Sequence, residues 1–179
     1  MNAVLEPREH QELLIGCGNR REKIVRCEEM AEKFENVVTL DIDPDCKADV
    51  IHDLNELPYP FADDQFDEIH VYDVLEHCGT QGDWRFFFAQ FGEFHRILKP
   101  GGFFCATMPM WDSPWAWADP GHTRVFSYHT LAFLTQEHYK QEVGKTASTD
   151  YRHVWDKDFE PIGYQEFDHQ FGFILKATK

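Results

Sequence analysis

The sequence lacks paired cysteines, and this absence argues against the disulfide framework of a small secreted domain. No two of its cysteines form a C-x-x-C pair, and their number, five, is odd. They are Cys17, Cys27, Cys46, Cys78 and Cys105. We therefore expect reduced thiols and a cytoplasmic location. No apolar run has the length of a signal peptide or a membrane span, so we expect a soluble chain without a membrane partner.

Positive charge is also scarce. The 179 residues include 17 Lys and Arg against 32 Asp and Glu, which gives a net charge of −15 at pH 7. Binding of nucleic acid depends on Lys and Arg that neutralise phosphates, so a nucleic-acid partner is disfavoured. With 42% hydrophobic and 15% aromatic residues, the chain is long enough for a core of its own. We expect a single domain over residues 1–179.

The first glycine-rich turn lacks the third glycine of a dinucleotide-binding loop. The turn is Gly16-Cys17-Gly18-Asn19, and Arg21 stands where G-x-G-x-x-G has its last glycine. That glycine allows a helix to pack closely on a strand over a pyrophosphate. Its absence argues against NAD or FAD and favours a nucleotide without a diphosphate. A nucleotide-sugar or NAD enzyme remains an alternative at this point.

Short apolar runs alternate with helical patterns along the chain. The runs predict strands at residues 12–15, 37–40, 48–51, 67–72 and 103–108 and two closing strands at 160–167 and 171–177. The helical spacing of apolar residues predicts helices over 20–34, 84–98 and 127–139. This alternation favours an α/β fold in which helices cover both faces of a mainly parallel sheet.

Polar or glycine-rich segments follow four successive strands of the predicted sheet. They are Gly16–Asn19, Asp41, His52–Leu54 and Asp73–His77. Ligands of parallel sheets bind beyond the carboxyl ends of the strands, so we expect these segments to converge on one crevice. Glycine lets a ligand approach the backbone, and carboxylates accept hydrogen bonds from hydroxyls and amines. Asp53 also fits an Asx turn, and Glu76 and His77 also fit a helix cap.

These segments, in this order, resemble the motifs of class I S-adenosylmethionine-dependent methyltransferases. The resemblance rests on LLIGCGNRREKI, VVTLDIDPDCKADVIHDLNELPYPFADDQFDEIHVYDVLEH and FHRILKPGGFFCATMP, which span residues 12 to about 109. It is nearest to the small stand-alone type found in phage genomes and surface-polysaccharide gene clusters. The fold that it implies is a three-layer Rossmann-like sandwich. Its mainly parallel seven-stranded sheet has the order 3-2-1-4-5-7-6 and an antiparallel last strand.

The resemblance also implies how residues bind S-adenosylmethionine and its product, S-adenosylhomocysteine. Asp41 would bind the ribose hydroxyls, and Asp53 would accept from the adenine amine. The implied cofactor-binding residues are Gly16, Cys17, Gly18, Asn19, Asp41, Ile42, Asp53, Leu54, Asp73, Val74 and Leu75. One position departs from the family, because Leu14 stands where members often carry an acid for the methionine amine. Glu12 faces the same side of a strand, and the amine is otherwise expected to meet backbone carbonyls.

The predicted acceptor side contains histidines, a tyrosine and tryptophans. A general base assists methyl transfer to oxygen or nitrogen, and His122 is the first candidate for that base, followed by His77 and Tyr128. The ten histidines include no H-E-x-x-H or other close ligand pair, so no metal site is predicted. Three tryptophans within residues 110–122 would either stack on an acceptor and exclude water or cover the edge of the sheet.

We therefore expect methyl transfer by in-line displacement from S-adenosylmethionine to a small molecule, a sugar or a protein side chain. The alternative is a related module that binds S-adenosylmethionine or S-adenosylhomocysteine without catalysis. Leu14 in place of an acid favours the module. The complete set Asp41, Asp53 and Asp73 favours the enzyme.

Overall fold

The computed structural model describes residues 9–179, and a seven-stranded sheet runs through them. The strands are β1 (Glu12–Ile15), β2 (Val37–Asp41), β3 (Val50–Ile51), β4 (Phe66–Tyr72), β5 (Leu98–Pro109), β6 (Asp158–Glu166) and β7 (Gln170–Thr178). Their order is β3-β2-β1-β4-β5-β7-β6. The first five strands pair in parallel, and β7 runs antiparallel to both β5 and β6. The predicted fold class and strand order are confirmed.

Helices follow the fourth and fifth strands. The α-helices are α1 (Trp84–Ile97), α2 (Trp115–Ala118), α3 (Tyr128–Leu131) and α4 (Gln136–Glu142), and 3-10 turns occur at Pro44–Cys46, Leu75–His77 and Ala132–Leu134. Helix α1 is the predicted Phe-rich helix, and Asp83 caps it by accepting from the N–H of Phe86 at 3.0 Å. The predicted helix over 127–139 is interrupted at Thr135, which caps α4. None of the helices in residues 9–179 has the length and apolar character needed to cross a bilayer.

The predicted helix over residues 20–34 is wrong, because this segment is irregular. The backbone N–H groups of Ile24 and Val25 donate to the Tyr72 hydroxyl, at 3.1 and 3.4 Å. In a helix these groups would donate to carbonyls one turn earlier in the chain. Tertiary hydrogen bonds therefore replace the local ones that the apolar spacing predicted.

A buried ion-pair cluster joins this irregular segment to β1 and β4. The Lys23 ammonium lies 2.6 Å from a carboxylate oxygen of Glu12 and 2.7 Å from one of Glu68, and all three side chains are almost fully buried. Glu12 also accepts from the N–H groups of Glu35 and Asn36. Burial opposes ionisation, but the bonds from Lys23 and these N–H groups lower the pKa of Glu12. Glu12 is thus engaged within the fold.

An aromatic core lies between α1 and the sheet. Phe94 of α1 packs against Phe104 of β5 and against Tyr59, with ring centroids 4.7 and 5.4 Å apart. Phe104 also contacts Phe173 of β7 at 6.1 Å. Ring pairs at such distances add to the stabilisation that burial provides. This packing fixes α1 and β7 against β5, and so positions the loops that leave the carboxyl ends of β4 and β5.

Candidate active site

A cavity of about 220 Å³ opens beyond the carboxyl ends of β1, β2, β3 and β4. Six of the predicted cofactor-binding residues line it, namely Gly16, Asp41, Ile42, Asp53, Leu54 and Val74. His77, predicted on the acceptor side, lines the same cavity. His52, Asn55 and Cys78 line it too, although sequence reasoning did not select them. Their position in the segments that follow β3 and β4 was the only available signal.

Two glycines shape the turn after β1. Gly16 and Gly18 have left-handed φ values of 63° and 42°. A Cβ atom on Gly16 would lie 2.1 Å from Cγ2 of Val74, so a side chain there collides with the loop after β4. A Cβ atom on Gly18 would meet no heavy atom of the described residues within 4 Å. The first glycine therefore allows two loops to meet, and the second leaves open space beside the cavity.

Asp41 is held as a carboxylate at the end of β2. Its two oxygens accept from the backbone N–H groups of Gly18 at 2.9 Å and Asp43 at 3.0 Å. Burial opposes ionisation, but these N–H groups outweigh it and lower the pKa of Asp41. Each carboxylate oxygen can accept more than one hydrogen bond, so both remain able to bind a hydroxyl. Two acceptor oxygens side by side are what two adjacent ribose hydroxyls need as hydrogen-bond donors.

Asp53 and two apolar residues form a second part of the cavity wall. One Asp53 oxygen accepts from the backbone and the side-chain amide of Asn55, both at 2.9 Å, so Asp53 does form an Asx turn. Leu54 is 5% exposed beside it, whereas Ile42 is 62% exposed. An apolar surface with a carboxylate at its edge suits a flat ring that carries an amine.

The other predicted cofactor-binding residues lie outside the cavity lining. Cys17 and Leu75 are buried, Asn19 is exposed, and the N–H of Gly18 contacts Asp41. Burial raises the pKa of the Cys17 thiol to about 11, which keeps it protonated. Cys17 is therefore a small buried spacer in the turn.

Asp73 adopts an unusual backbone conformation at the end of β4. Its φ of 55° is in the left-handed region, which an aspartate tolerates better than most residues. Its carboxylate accepts from the Thr107 hydroxyl at 3.2 Å and from the Gln170 amide at 2.8 Å. These contacts from β5 and β7 support a sharp turn of the chain into the Leu75–His77 segment.

Three titratable side chains meet where the turn after β4 contacts the loop after β5. One ring nitrogen each of His77 and His122 and a carboxylate oxygen of Glu76 lie within 4.8 Å of one another. The two imidazoles pack edge to face, with ring centroids 4.7 Å apart. The structure thus brings together two of the three predicted catalytic residues and adds Glu76. We refer to these residues as the Glu76–His77–His122 cluster.

Glu76 is the member of this cluster that sequence reasoning did not select. Its side chain is 3% exposed, and neither carboxylate oxygen has a hydrogen-bond partner among the residues that the structure describes. Burial raises the pKa of Glu76 to about 8, and the nearby Asp73 and Asp119 act in the same direction. The only sequence signal was its place beside His77 at the end of a predicted strand. A buried acid in such a position is a candidate for function.

Tyr128 and the tryptophans belong to a different cavity. Tyr128, Trp111 and Trp117 line an open cavity of about 610 Å³. Trp111, Trp115 and Trp117 are 56%, 61% and 71% exposed. This exposure leaves ring surface available to an acceptor. We call Trp111, Trp117 and Tyr128 the aromatic wall.

Comparisons with known sequences identify the family. The family described as a methyltransferase domain matches residues 13–106, which is more than half of the chain. The chain therefore belongs to the methyltransferase-domain family, within the class I S-adenosylmethionine-dependent methyltransferases. Its cofactor is S-adenosylmethionine. No curated protein sequence gives a significant match.

Solved structures share the fold at low sequence identity. An S-adenosylmethionine-dependent methyltransferase from Archaeoglobus fulgidus is 16% identical, with a TM-score of 0.57 over 94% of this chain and 86% of that one. The Burkholderia thailandensis 1,6-didemethyltoxoflavin-N1-methyltransferase, with bound 1,6-didemethyltoxoflavin and S-adenosylhomocysteine, is 17% identical, with a TM-score of 0.59 over 96% and 72%. The N-methyltransferase NodS from Bradyrhizobium japonicum, in complex with S-adenosylhomocysteine, is 13% identical, with a TM-score of 0.56 over 95% and 79%.

Proposed function

We propose that the chain transfers a methyl group from S-adenosylmethionine to a hydroxyl group of a small molecule with a flat face, such as a sugar or an aromatic ring. The observation that carries this proposal is the position of His77. It belongs both to the cavity that contains Asp41 and Asp53 and to the Glu76–His77–His122 cluster. A cofactor in that cavity is therefore adjacent to titratable groups that can act on an acceptor.

The residues of the cavity fit the cofactor. Asp41 would bind the ribose hydroxyls, Asp53 the adenine amine, and the Leu54 N–H a ring nitrogen of the base. Ile42 offers an exposed apolar side chain at the cavity for the face of the base. The open space beside Gly18 leaves room for the methionine part. When bound, the cofactor supplies an electrophilic methyl group on a sulfonium, and its leaving group is a neutral thioether.

The methionine amine needs acceptors other than an acid on β1. Leu14 is 3% exposed, and Glu12 is engaged by Lys23 at 2.6 Å. The carbonyls of Cys17 and Gly18 already accept from the Arg21 guanidinium at 3.0 and 2.9 Å, so we propose that the carbonyls of Gly16 and Asp73 accept from the ammonium group. A carbonyl is a weaker partner for an ammonium than a carboxylate is, so binding would depend more on Asp41 and Asp53.

The acceptor would lie between the Glu76–His77–His122 cluster and the aromatic wall. The exposed rings of Trp111, Trp117 and Tyr128 provide faces on which a sugar or an aromatic ring can stack. In-line displacement then depends on alignment of the acceptor oxygen with the methyl group. The prediction that His122 and His77 take part stays a prediction, and both offer a ring nitrogen close to the cofactor cavity.

Calorimetry with S-adenosylhomocysteine and S-adenosylmethionine tests the cofactor half of the proposal. The wild type should bind both. The Asp41→Asn variant should bind more weakly by about 10- to 100-fold, because a hydrogen bond to a charged group contributes about 1.5–3 kcal/mol. Asp45→Asn, which changes an exposed acid on the same loop, should bind like the wild type. If neither compound binds the wild type, the proposed function is wrong.

A radiolabelled-methyl assay with sugars and aromatic hydroxyl compounds tests the acceptor half. Labelled product that is lost in the Trp117→Ala variant, with cofactor binding retained, is the expected result. Cofactor binding without any labelled product across the panel would favour the non-catalytic module instead.

A further inference from the structure

We propose that Glu76, His77 and His122 bind a divalent transition-metal ion beside the cofactor cavity. The ion would coordinate the acceptor hydroxyl. The coordination of the acceptor rests on the proposed function. The metal site itself depends only on the positions of these three side chains. The three residues come from the turn after β4 and the loop after β5, and His77 also lines the cofactor cavity.

The spacing and the kind of ligand atoms fit one ion. Two imidazole nitrogens and a carboxylate oxygen lie within 4.8 Å of one another. Ligand atoms held at about 2.1 Å from a Zn²⁺ ion in tetrahedral geometry lie about 3.4 Å apart, so side-chain rotation has to close the widest pair of the cluster by about 1.4 Å on binding. Two histidines and one carboxylate suit zinc and other first-row transition metals, and they leave coordination positions open for a substrate.

Each imidazole has a backbone carbonyl beside its Nδ1 atom. Nδ1 of His77 lies 3.2 Å from the carbonyl oxygen of Gly121, and Nδ1 of His122 lies 3.4 Å from that of Ala116. A carbonyl oxygen can only accept, so each Nδ1 carries the proton in these contacts. Nε2 of each ring then keeps its lone pair. A backbone carbonyl behind the ring is a common support for a histidine ligand.

The buried carboxylate of Glu76 supports the metal site independently of the histidines. Its side chain is 97% buried, and both of its carboxylate oxygens are without a hydrogen-bond partner among residues 9–179. The buried Arg124 guanidinium, whose charge acts on Glu76, does not supply one, because it donates to the Leu75 carbonyl at 2.9 Å and to the Gln90 side chain. A buried polar group without partners is costly, and coordination of a metal ion removes that cost.

Two other groups of possible ligands occur in the described residues, and both are already engaged. They are the His10–Glu12–Glu68 and Cys17–Asp41–Cys46 groups. In the first, the Lys23 ammonium lies 2.6 and 2.7 Å from the two carboxylates and occupies the place of a cation. In the second, Asp41 accepts hydrogen bonds from two backbone N–H groups and belongs to the proposed ribose site.

A general-base role for His122 would leave the buried Glu76 carboxylate unexplained, whereas a metal ion would use all three side chains of the cluster.

The ion would prepare the acceptor for transfer. A hydroxyl group that coordinates a divalent metal loses its proton to solvent at a lower pH than a free hydroxyl does. The oxygen lone pair then forms the bond to the methyl carbon, and the electron pair of the sulfur–methyl bond goes to sulfur. The oxidation state of the metal does not change. This activation would support the hydroxyl acceptor of the proposed function.

Titration of the chelator-stripped protein with ZnCl₂ and MnCl₂, without cofactor or acceptor, tests the site. Calorimetry should show one tightly bound ion per chain in the wild type. Affinity should fall at least about tenfold in Glu76→Gln and in His122→Ala. His153→Ala, which removes an exposed histidine outside the cluster, controls for nonspecific binding and should match the wild type. The site is wrong if the wild type binds no ion, or if Glu76→Gln and His122→Ala bind as tightly as His153→Ala.

Two further measurements separate this inference from the proposed function. Glu76→Gln should bind S-adenosylhomocysteine like the wild type, which shows that the variant is folded and that the cofactor cavity is intact. Methyl transfer by the wild type should stop on removal of the metal and return on its addition. Transfer that continues unchanged in the stripped protein would overturn the acceptor role of the ion.

Discussion

At the scale of single residues, Gly16 is the position where a side chain should be least tolerated. The Gly16→Ala variant combines a φ of 63° with a Cβ atom 2.1 Å from Cγ2 of Val74. We expect the free energy of unfolding to fall by about 1–3 kcal/mol, measured by urea denaturation. Binding of S-adenosylhomocysteine should weaken as well, because the two loops that border the cavity are pushed apart.

Gly144→Ala is the matched control for this change. Gly144 also has a left-handed φ, 78°, but a Cβ atom there would meet no heavy atom of the described residues within 4 Å. It should therefore show only the cost of the backbone conformation and bind the cofactor normally. Equal losses of stability in the two variants would contradict the role assigned to the contact with Val74.

Lys23 should be the most important charged residue for stability. Lys23→Met leaves Glu12 and Glu68 buried without their cation, and removal of one member of a buried ion pair costs about 3–5 kcal/mol. Lys140→Met is the control, because Lys140 is 70% exposed and faces Glu137 at 3.7 Å. Its free energy of unfolding should change by less than about 0.5 kcal/mol. Urea denaturation at pH 7 measures both.

The effect of Lys23→Met should depend on pH. Burial opposes ionisation at all three sites, but the ion pairs lower the pKa of Glu12 and Glu68 and raise that of Lys23. The carboxylates therefore contribute stability above their ordinary pKa of 4.5 and lose it as the pH falls through their lowered values. Without Lys23 the carboxyls protonate more readily, so the loss should be smaller at pH 5 than at pH 7. A loss independent of pH would contradict this assignment.

At the scale of elements, the sequence predicts the strands better than it predicts the segment between β1 and β2. The apolar runs around Leu13 and Ile69 define buried strands by themselves, because burial on both faces needs no knowledge of partners. Residues 20–34 carry helical spacing, but Tyr72 and Lys23 form bonds to residues distant in the chain. Spacing along a chain contains no information about such bonds, so the helix was predicted wrongly.

Some residues of the candidate site could also be predicted from the sequence, and others could not. Asp41 and Asp53 could be placed at the cavity from the sequence because they lie at or just after the carboxyl ends of two strands, and these ends meet at one edge of a parallel sheet. Glu76 could not be recognised as an unpartnered buried acid. Its burial depends on residues after β5, where the N–H groups of Thr123 and Arg124 donate to the Glu76 carbonyl at 2.8 and 3.3 Å.

Tyr72→Phe tests what holds the irregular segment between β1 and β2. The hydroxyl accepts from the N–H groups of Ile24 and Val25 and lies 2.6 Å from Nδ1 of His70. Its removal should accelerate hydrogen exchange at the amides of residues 24 and 25 and lower the free energy of unfolding by about 1–3 kcal/mol. Tyr164→Phe is the control, because the Tyr164 hydroxyl contacts only the exposed Glu166 in the described residues. This variant should leave hydrogen exchange at residues 24 and 25 unchanged. Unchanged exchange in Tyr72→Phe would show that other contacts hold the segment.

At the scale of the whole molecule, both halves of the proposed site lie at one edge of the sheet. The segments after β1, β2 and β3 contribute the cofactor cavity, and the loop after β5 contributes His122 and the tryptophans. The turn after β4 belongs to both, since His77 contacts Gly121 and lines the cavity. The parallel arrangement of β1, β2 and β4 therefore brings functional side chains from distant parts of the chain to one edge of the sheet.

The net charge of −15 should make the stability of the protein depend on salt at pH 7 but not near its isoelectric point. Like charges repel one another in a folded chain, and raising the ionic strength from about 0.01 M to about 0.15 M shortens the Debye length from about 30 Å to about 8 Å. The melting temperature at pH 7 should therefore rise with NaCl. Near the isoelectric point of about 4.9 the net charge vanishes, and the same addition should have little effect. Calorimetric melting at both pH values measures this, and an equal rise at both would show that net charge is not the cause.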